Sequence, residues 1–143
     1  MKYSLGFAVI IIVLGIISFF YFSENENSIT WKTYKESNFS DPGNKKGIII
    51  DFYADWCVPC KEMDKTTFLD KKVISEVNKY LTLKADMTKS MSPEVDALRN
   101  KFQIDAMPTI LVFSPNWEEI KRITGYANAD EFHKLLSDLN SGE

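Results

Sequence analysis

The chain has few cysteines and histidines, the residues on which many metal sites depend, and its basic residues form no stripe. Among its 143 residues there are only two cysteines and one histidine. A metal site built on both cysteines needs about two further ligands, and the sequence offers His133 and no second cysteine pair, so a metal-binding module remains only a minor alternative. There is no basic stripe and the formal net charge is −3, so nucleic acid is not an expected partner.

One long stretch near the N-terminus has no charge. Residues 5–22 contain no charged residue and are rich in Ile, Val, Leu and Phe. A helix of that length spans about 27 Å, close to the ~30 Å hydrocarbon core of a bilayer. A cleaved signal peptide is the main alternative, but the stretch ends in Phe19-Phe20-Tyr21-Phe22 rather than in a small-x-small cleavage site. We therefore predict a membrane anchor over residues 1–22, a linker over residues 23–28 and one folded domain over residues 29–143.

The charges that flank this stretch predict its orientation. Lys2 precedes it, and Glu24 and Glu26 follow it. The positive-inside rule then places the N-terminus in the cytoplasm and the domain outside. We expect a single crossing of the inner membrane with the domain on the periplasmic side, where the environment oxidises thiols. The anchor has no cysteine, so it cannot relay electrons itself.

The two cysteines lie between a predicted strand and a predicted helix. The apolar run Ile48-Ile49-Ile50 predicts a buried strand, and the residues after Cys60 favour a helix. Cys57 is then the N-cap and Cys60 lies in the first turn. Pro59 is tolerated there because first-turn N–H groups have no partner inside the helix. A helix N-terminus favours a thiolate, so the pKa of Cys57 is expected to fall below the free value of about 8.5.

A thiolate beside a second thiol predicts thiol–disulfide exchange. Our hypothesis is that Cys57 attacks a disulfide and that Cys60 resolves the resulting mixed disulfide. A purely structural disulfide is another alternative. Closing so short a loop would stabilise the fold by only about 2 kcal/mol, because it does little to restrict the unfolded chain. We expect the Cys57–Cys60 disulfide to be the only redox group, with no other cofactor and no metal.

Further motifs carry a resemblance to a known family. The run Trp56-Cys57-Val58-Pro59-Cys60-Lys61 resembles the active site of the thioredoxin superfamily. A narrower resemblance is to the C-terminal, extracytoplasmic domain of the DsbD family of thiol:disulfide interchange proteins. It rests on residues 52–57, Lys61-Glu62-Met63-Asp64, Thr67-Phe68, Met107-Pro108-Thr109 and Thr124-Gly125-Tyr126. The resemblance covers about residues 29–140.

The order of predicted elements agrees with the fold that this resemblance implies. Strands are predicted at residues 29–31, 48–53, 81–86, 109–113 and 119–124, with helices near 33–38, after Cys60, around 73–77, from Ser92 and from Asn128. This order indicates an α/β protein in which helices cover both faces of a mixed central sheet. The resemblance implies that this is the thioredoxin fold.

Two carboxylates are candidates for proton transfer or its support. Asp51 follows three isoleucines on the predicted strand, where burial raises the pKa of a carboxyl group and suits it to acid–base work near neutral pH. We predict that Asp51 deprotonates Cys60, directly or through a water, and the resemblance to thioredoxins implies a buried Asp at this position. The resemblance to the DsbD family implies that Asp64 lies near the thiols, with a solvated helix surface as the alternative.

The other expected site residues surround the thiols. Pro108 comes before a predicted strand, and the resemblance implies a cis peptide bond there, packed against the disulfide. The cis form is accessible before proline, where it costs about 0.5–1 kcal/mol. By the same resemblance, Met107 and Thr109 flank the contact with substrate. Trp56 is expected to shield the thiols and to offer partners an apolar surface.

These features predict a membrane-anchored, extracytoplasmic protein-disulfide reductase that is a monomer. A disulfide oxidant or isomerase is the alternative, and it is disfavoured because Val58-Pro59 lacks the His that strong oxidants of this superfamily often have there. The resemblance implies protein disulfides as substrates, in the recycling of a disulfide isomerase or in cytochrome c maturation. The polytopic membrane domain of the DsbD family is not in this sequence, so we expect a separate membrane electron donor.

Overall fold

A mixed sheet lies at the centre of the folded domain. The computed structural model describes residues 9–18, 28–40 and 42–140. Within these residues the strands are β1 (Lys32–Thr33), β2 (Ile48–Tyr53), β3 (Leu81–Asp86), β4 (Thr109–Phe113) and β5 (Glu119–Thr124). They lie in the order β1-β3-β2-β4-β5, in which β1, β3 and β2 are parallel and β4 is antiparallel to both of its neighbours.

Helices cover both faces of this sheet. Residues 9–18 form helix α1. The helices of the folded domain are α2 (Val58–Lys65), α3 (Lys71–Val77), α4 (Pro93–Phe102) and α5 (Ala129–Ser137), with 3-10 turns at Glu36–Ser40, Thr67–Leu69 and Asp138–Asn140. One apolar cluster packs Ile49 and Ile110 against α2, α3 and α5. Another packs Ile48 and Leu111 against α4. The predicted α/β fold is confirmed.

The isoleucine run explains the central position of β2. Successive side chains of a strand point to opposite faces of the sheet. Ile48, Ile49 and Ile50 are each 0% exposed, because both faces of β2 are covered. An unbroken apolar run is what a strand buried on both faces requires. The predicted bounds of β2, β3, β4 and β5 all match the structure.

Side-chain caps set the points at which two of the helices begin. Ser92 accepts a hydrogen bond from the N–H of Val95 and is followed by Pro93, as the sequence predicted for α4. Asn128 caps α5 and forms a reciprocal capping box with Glu131. A cap of this kind stabilises a helix by about 1 kcal/mol. The starts of both helices are therefore encoded locally.

The sequence prediction was wrong at the first strand. It placed a strand at residues 29–31 and a helix at 33–38, whereas β1 is Lys32–Thr33 and a 3-10 turn occupies Glu36–Ser40. Before β1, the N–H of Trp31 donates to the carbonyl of Ile29 at 3.1 Å, a bond between near neighbours in the chain. The Thr82 hydroxyl donates to the carbonyl of Thr30 at 2.7 Å. This second contact comes from β3 and cannot be seen in the local pattern.

The predicted anchor lies largely outside the described residues. Of residues 1–22, the structure describes only 9–18, and of the predicted linker it describes only Ser28. In the part of the chain that is described, no helix combines the length and the apolar character needed to cross a membrane. The anchor and the linker remain predictions.

Gly47, the residue before β2, lies close to the backbone at the end of β4. A Cβ atom at Gly47 would lie 2.0 Å from the carbonyl oxygen of Phe113, and its φ is 149°. We expect Gly47→Ala to lower the free energy of unfolding by at least ~2 kcal/mol in urea titrations. Gly43→Ala is the matched control, since Gly43 has φ 59° and a Cβ atom added there would meet no other heavy atom within 4 Å. Its expected cost is about 1 kcal/mol. Equal losses in the two variants would contradict the close contact.

Candidate active site

Both cysteines lie where β2 gives way to α2, at the C-terminal end of a central strand. Cys57 is the N-cap of α2, and its Sγ accepts a hydrogen bond from the N–H of Cys60 at 3.2 Å. The two sulfurs form a disulfide, with their Cα atoms 5.3 Å apart. The predicted placement of Cys57 at the N-cap and of Cys60 in the first turn is confirmed. Pro59 also lies in this first turn.

The disulfide is nearly covered by its own loop and by the loop before β4. Cys57 and Cys60 are each only 4% exposed. They form a small apolar cluster with Ala54, against which Tyr53 and Met107 pack. Met107 therefore lies beside the disulfide, while its contact with substrate stays a prediction. Burial in apolar surroundings opposes ionisation of a thiol, whereas the helix N-terminus favours it.

An apolar rim is exposed beside the covered disulfide. Trp56 is 57% exposed and Val58 is 74% exposed. The indole N–H of Trp56 donates to the carbonyl of Thr88 at 3.2 Å, which holds the ring at the surface. The structure thus makes Trp56 accessible to partners. Its role in binding them stays a prediction.

The loop before β4 contains the expected cis proline. The Met107–Pro108 peptide bond is cis. The carbonyl of Pro108 accepts a hydrogen bond from the N–H of Gly125 at 2.8 Å. Thr109 is buried, and its hydroxyl donates to the carbonyl of Ala106 at 2.7 Å. Met107 is the member of this loop that packs against the cysteine cluster, whereas the Thr109 hydroxyl is used within the loop.

Asp51 is a buried carboxylate on β2. It is 2% exposed, and its Oδ2 lies 3.2 Å from Nζ of Lys84. Burial raises the pKa of Asp51 to about 6, although the neighbouring Lys84 acts to lower it. Desolvation therefore outweighs the ion pair. The expectation from the sequence that Asp51 is buried with a raised pKa is confirmed, while its catalytic role remains a prediction.

Lys84 joins the two predicted carboxylates. It lies directly opposite Asp51 in the parallel pairing of β2 with β3. Its Nζ also donates to Oδ1 of Asp64 on α2 at 2.5 Å. The Asp51 side chain is 3% exposed, whereas that of Asp64 is 41% exposed. Asp64 is thus neither a freely solvated group nor a fully buried one, and it is tied to Asp51 through the lysine.

Aromatic rings surround the Lys84 ammonium group. Its Nζ lies 4.8 Å from the ring centroid of Tyr53, 5.4 Å from Trp31 and 5.7 Å from Phe68. A cation within about 6 Å of a ring centroid is attracted to the ring. Burial works against the charge on Lys84, but Asp51 and Asp64 outweigh it and raise its pKa. Lys84 therefore remains protonated beside both carboxylates.

Lys84 was not identified from the sequence, and neither was the contribution of Trp31. The available signal was a lysine between Leu83 and Ala85, which are 0% and 1% exposed. A charge on an otherwise buried strand needs a partner. The identity of that partner depends on the register between β2 and β3, which the local sequence does not contain.

The described residues hold no group of three or more His, Cys, Asp or Glu side chains that could bind a metal ion.

Known proteins share this fold and this arrangement. The thioredoxin-like domain family matches residues 40–140. The chain belongs to the thioredoxin-like domain family. The resemblance inferred from the motifs around Cys57, Cys60 and Pro108 is thereby confirmed.

Curated relatives of this family member are named thiol:disulfide interchange protein DsbD. That of Haemophilus influenzae strain PittEE is 45% identical over 94 residues, which is 64% of this chain and 16% of the relative. That of Photorhabdus laumondii is 40% identical over 96 residues, or 66% of this chain and 16% of the relative. The chain thus spans about a sixth of the length of these relatives.

Solved structures give the same result. The reduced C-terminal domain of Neisseria meningitidis DsbD superposes with a TM-score of 0.60 at 28% identity, covering 66% of this chain and 82% of that one. A thioredoxin from Thermus thermophilus superposes with a TM-score of 0.66 over 79% of this chain and 88% of that one, and at 21% identity it shows the fold alone. The fold, the C-x-x-C disulfide and the DsbD relatives together support thiol:disulfide oxidoreductase activity.

The raised pKa of Asp51 generates a prediction about stability. Because this pKa is about 6 in the folded protein against an ordinary 3.8, the folded state binds more protons between these values. The contribution of the Asp51 carboxyl group to the free energy of unfolding therefore falls as the pH rises from about 4 to about 6. Asp51→Asn should then raise the free energy of unfolding at pH 7 by up to ~3 kcal/mol, with the difference shrinking towards pH 4. Urea titrations at the two pH values measure this.

A second variant, Lys84→Gln, separates the effect of burial on the pKa of Asp51 from the effect of the ion pair. Lys84→Gln removes the cation that lowers the pKa of Asp51, so NMR titration of the Asp51 carboxyl should give a higher value than in the unmodified protein. The prediction about Asp51→Asn fails if its free energy of unfolding differs from that of the unmodified protein by the same amount at both pH values.

Proposed function

We propose that the chain is a protein-disulfide reductase in which Cys57 attacks the substrate and Cys60 releases it. The observation that carries this proposal is the geometry of the N-cap. The N–H of Cys60 donates to the Cys57 sulfur at 3.2 Å, and α2 begins at Val58, the residue after Cys57. An N–H donor and the positive end of a helix both stabilise negative charge on that sulfur.

The exchange proceeds in two steps. In the reduced protein the Cys57 thiolate attacks one sulfur of a substrate disulfide, and the other sulfur leaves as a thiolate that takes up a proton. Cys60 then loses its proton and attacks the Cys57 sulfur of the mixed disulfide. The Cys57–Cys60 disulfide forms and the substrate leaves as a dithiol. Two electrons pass from the protein to the substrate.

Asp51 is the proposed acceptor of the Cys60 proton, directly or through a water. Its pKa of about 6 lets it hold a proton or accept one near neutral pH. Lys84 stabilises the carboxylate form before the transfer. Asp64 shares the same ammonium group, so we assign to Asp64 the role of limiting how strongly Lys84 holds Asp51.

The proposed direction is reduction of the substrate. Val58-Pro59 gives the Cys57 thiolate no histidine neighbour inside the loop. A less stabilised thiolate makes the dithiol a better electron donor. The opposite direction, disulfide oxidation or isomerisation, is distinguished by the reduction potential of the Cys57–Cys60 pair.

The proposed setting is the periplasmic side of the inner membrane. Residues 1–22 would anchor the protein, residues 23–28 would link it and residues 29–143 would form the catalytic domain, as a monomer. Support comes from the uncharged stretch at residues 5–22 and its flanking charges. The proposed substrates are protein disulfides, including those of a disulfide isomerase or of apocytochrome c. A separate membrane protein would supply the electrons.

Trapping tests the roles of the two cysteines. Cys60→Ser leaves the attacking thiol but removes the resolving one, so mixed disulfides with substrates should accumulate through Cys57. Non-reducing gels followed by mass spectrometry would detect these adducts and name the partners. The matched control is Cys57→Ser, for which we expect at least about tenfold less adduct because the remaining thiol lies inside the helix.

Two outcomes would reject this assignment. One is adduct formation that is equal in the two variants, which would make the cysteines interchangeable. The other is an absence of adducts with Cys60→Ser together with failure of the unmodified protein to reduce a test disulfide.

A further inference from the structure

Three aromatic rings lie around the Lys84 ammonium group, and each comes from a different part of the chain. Tyr53 belongs to β2 and Phe68 to the 3-10 turn after α2, whereas Trp31 comes from the segment before β1. The Trp31 ring also packs edge-on against that of Phe68, with 5.3 Å between the ring centroids. Trp31 thus connects the N-terminal segment of the domain with the ion pairs of Lys84.

Contacts on both sides of Trp31 fix its place. On one side, the Thr82 hydroxyl donates to the carbonyl of Thr30 at 2.7 Å. On the other side, β1 pairs with β3, and the N–H of Tyr34 donates to the carbonyl of Lys84 itself at 2.8 Å. The segment is therefore bound to β3, the strand that contains Lys84, both before and after the tryptophan.

Lys84 pairs with two carboxylates that differ in exposure. Its Nζ lies 3.2 Å from Oδ2 of Asp51, which is buried, and 2.5 Å from Oδ1 of Asp64, which is partly exposed. The ammonium group is strongly hydrated and is carried by a flexible stem. Without a contact that opposes it, Lys84 would move with Asp64 towards solvent and away from Asp51. The Trp31 ring is such a contact, because it attracts the cation and is itself packed against the apolar core.

We propose that Trp31 is a positioning residue, whose ring holds the Lys84 ammonium group against Asp51 and so keeps Asp51 able to accept a proton. The use of this contact rests on the proposed function, in which Asp51 takes the proton of Cys60. A nearby cation favours the charged form of a carboxyl group. Lys84 acts in this way to lower the pKa of Asp51. Loss of the ring should therefore let the pKa of Asp51 rise.

Other titratable groups lie around Lys84 and its neighbour on β2. They come from β2, the loop after it, α2 and β3, and they are Asp51, Tyr53, Asp55, Asp64 and Asp86. Trp31 carries no charge, so replacing it changes none of them directly. A change in the titration of Asp51 would then report a change in the position of Lys84 or in burial, and a double variant separates these two causes.

NMR titration of the Asp51 carboxyl group tests this role without any turnover. The full chain is used in its oxidised form in mild detergent. Trp31→Leu keeps an apolar side chain beside Lys84 but removes the ring. We expect it to raise the pKa of Asp51 by at least about half a pH unit, a part of the roughly one to three units by which an opposite charge shifts a carboxyl group. Trp31→Phe restores a ring and should titrate like the unmodified protein.

Two further variants show whether the effect depends on the lysine. Trp31→Leu combined with Lys84→Gln should titrate like Lys84→Gln alone, because a coupling disappears when one of its members is removed. The matched control is Trp117→Leu, which removes a tryptophan ring that packs against Phe39 in the apolar cluster of α4. It should leave the titration of Asp51 unchanged.

A measurement on the unmodified protein tests the contact itself. The centroid of the Trp31 ring lies 5.4 Å from Nζ of Lys84. NMR should therefore show a nuclear Overhauser effect between the indole protons of Trp31 and the ε-methylene protons of Lys84. Circular dichroism checks that the variants fold, and Trp31→Met takes the place of Trp31→Leu if the latter does not, since an unbranched side chain fills irregular gaps.

Three results would overturn the proposal. They are an Asp51 pKa that does not rise when the Trp31 ring is removed, an equal rise in the Lys84→Gln background, and the absence of the Overhauser effect between Trp31 and Lys84. The second result would mean that the ring acts on Asp51 through burial and not through the lysine.

The pH dependence of substrate release separates this proposal from the proposed function. The reduced protein is mixed with an aromatic disulfide whose thiolate is coloured, and the second thiolate to appear reports the attack of Cys60. In Trp31→Leu the release rate should rise at a higher pH, by the same amount as the Asp51 titration moves. If the titration moves and the release does not, Asp51 is rejected as the acceptor of the Cys60 proton, while the positioning of Lys84 by Trp31 stands.

Discussion

The hydrogen bond from the Cys60 N–H to the Cys57 sulfur is the contact on which the candidate site depends. It exists because β2 is buried on both faces and ends at Tyr53, so that the chain must turn out of the sheet and start a helix at Val58. The N-cap sulfur then faces the free N–H groups of the first turn, whereas the second sulfur belongs to the helix itself. Two chemically identical side chains become unequal through position alone. Burial of both cysteines works in the opposite direction, so the helix start has to supply the difference between them.

A second balance sets the pKa of Asp51, the buried carboxylate on β2. Burial raises the pKa of Asp51, while Lys84 lowers it. Burial is the larger effect. The same ammonium group is shared with Asp64 and lies against three aromatic rings. A pKa of about 6 is the result, in the range where a group can exchange protons at neutral pH.

Much of the fold could be predicted because its signals are local. Strand β3 alternates, β4 is an apolar run, and β5 follows β4 through the turn at Ser114-Pro115-Asn116-Trp117. Ser92-Pro93 indicates the start of a helix. The short edge strand β1 could not be placed, because its position is set by contacts with β3. At the site, the cysteines and Asp51 were visible as a motif and as a charge inside an apolar run. Lys84 was not, because its pairing with Asp51 depends on the register of two strands about thirty residues apart, and register is a property of the assembled sheet.

The inequality of the two sulfurs is the central claim, and alkylation of the reduced protein tests it most directly. Iodoacetamide is added over a range of pH, and mass spectrometry follows Cys57 and Cys60 separately in the same sample. The account predicts that Cys57 reacts at least about tenfold faster than Cys60 at neutral pH. As the pH is raised, the rate for Cys57 should begin to increase at a lower pH than the rate for Cys60. Equal rates for the two cysteines, or faster reaction of Cys60, would contradict it.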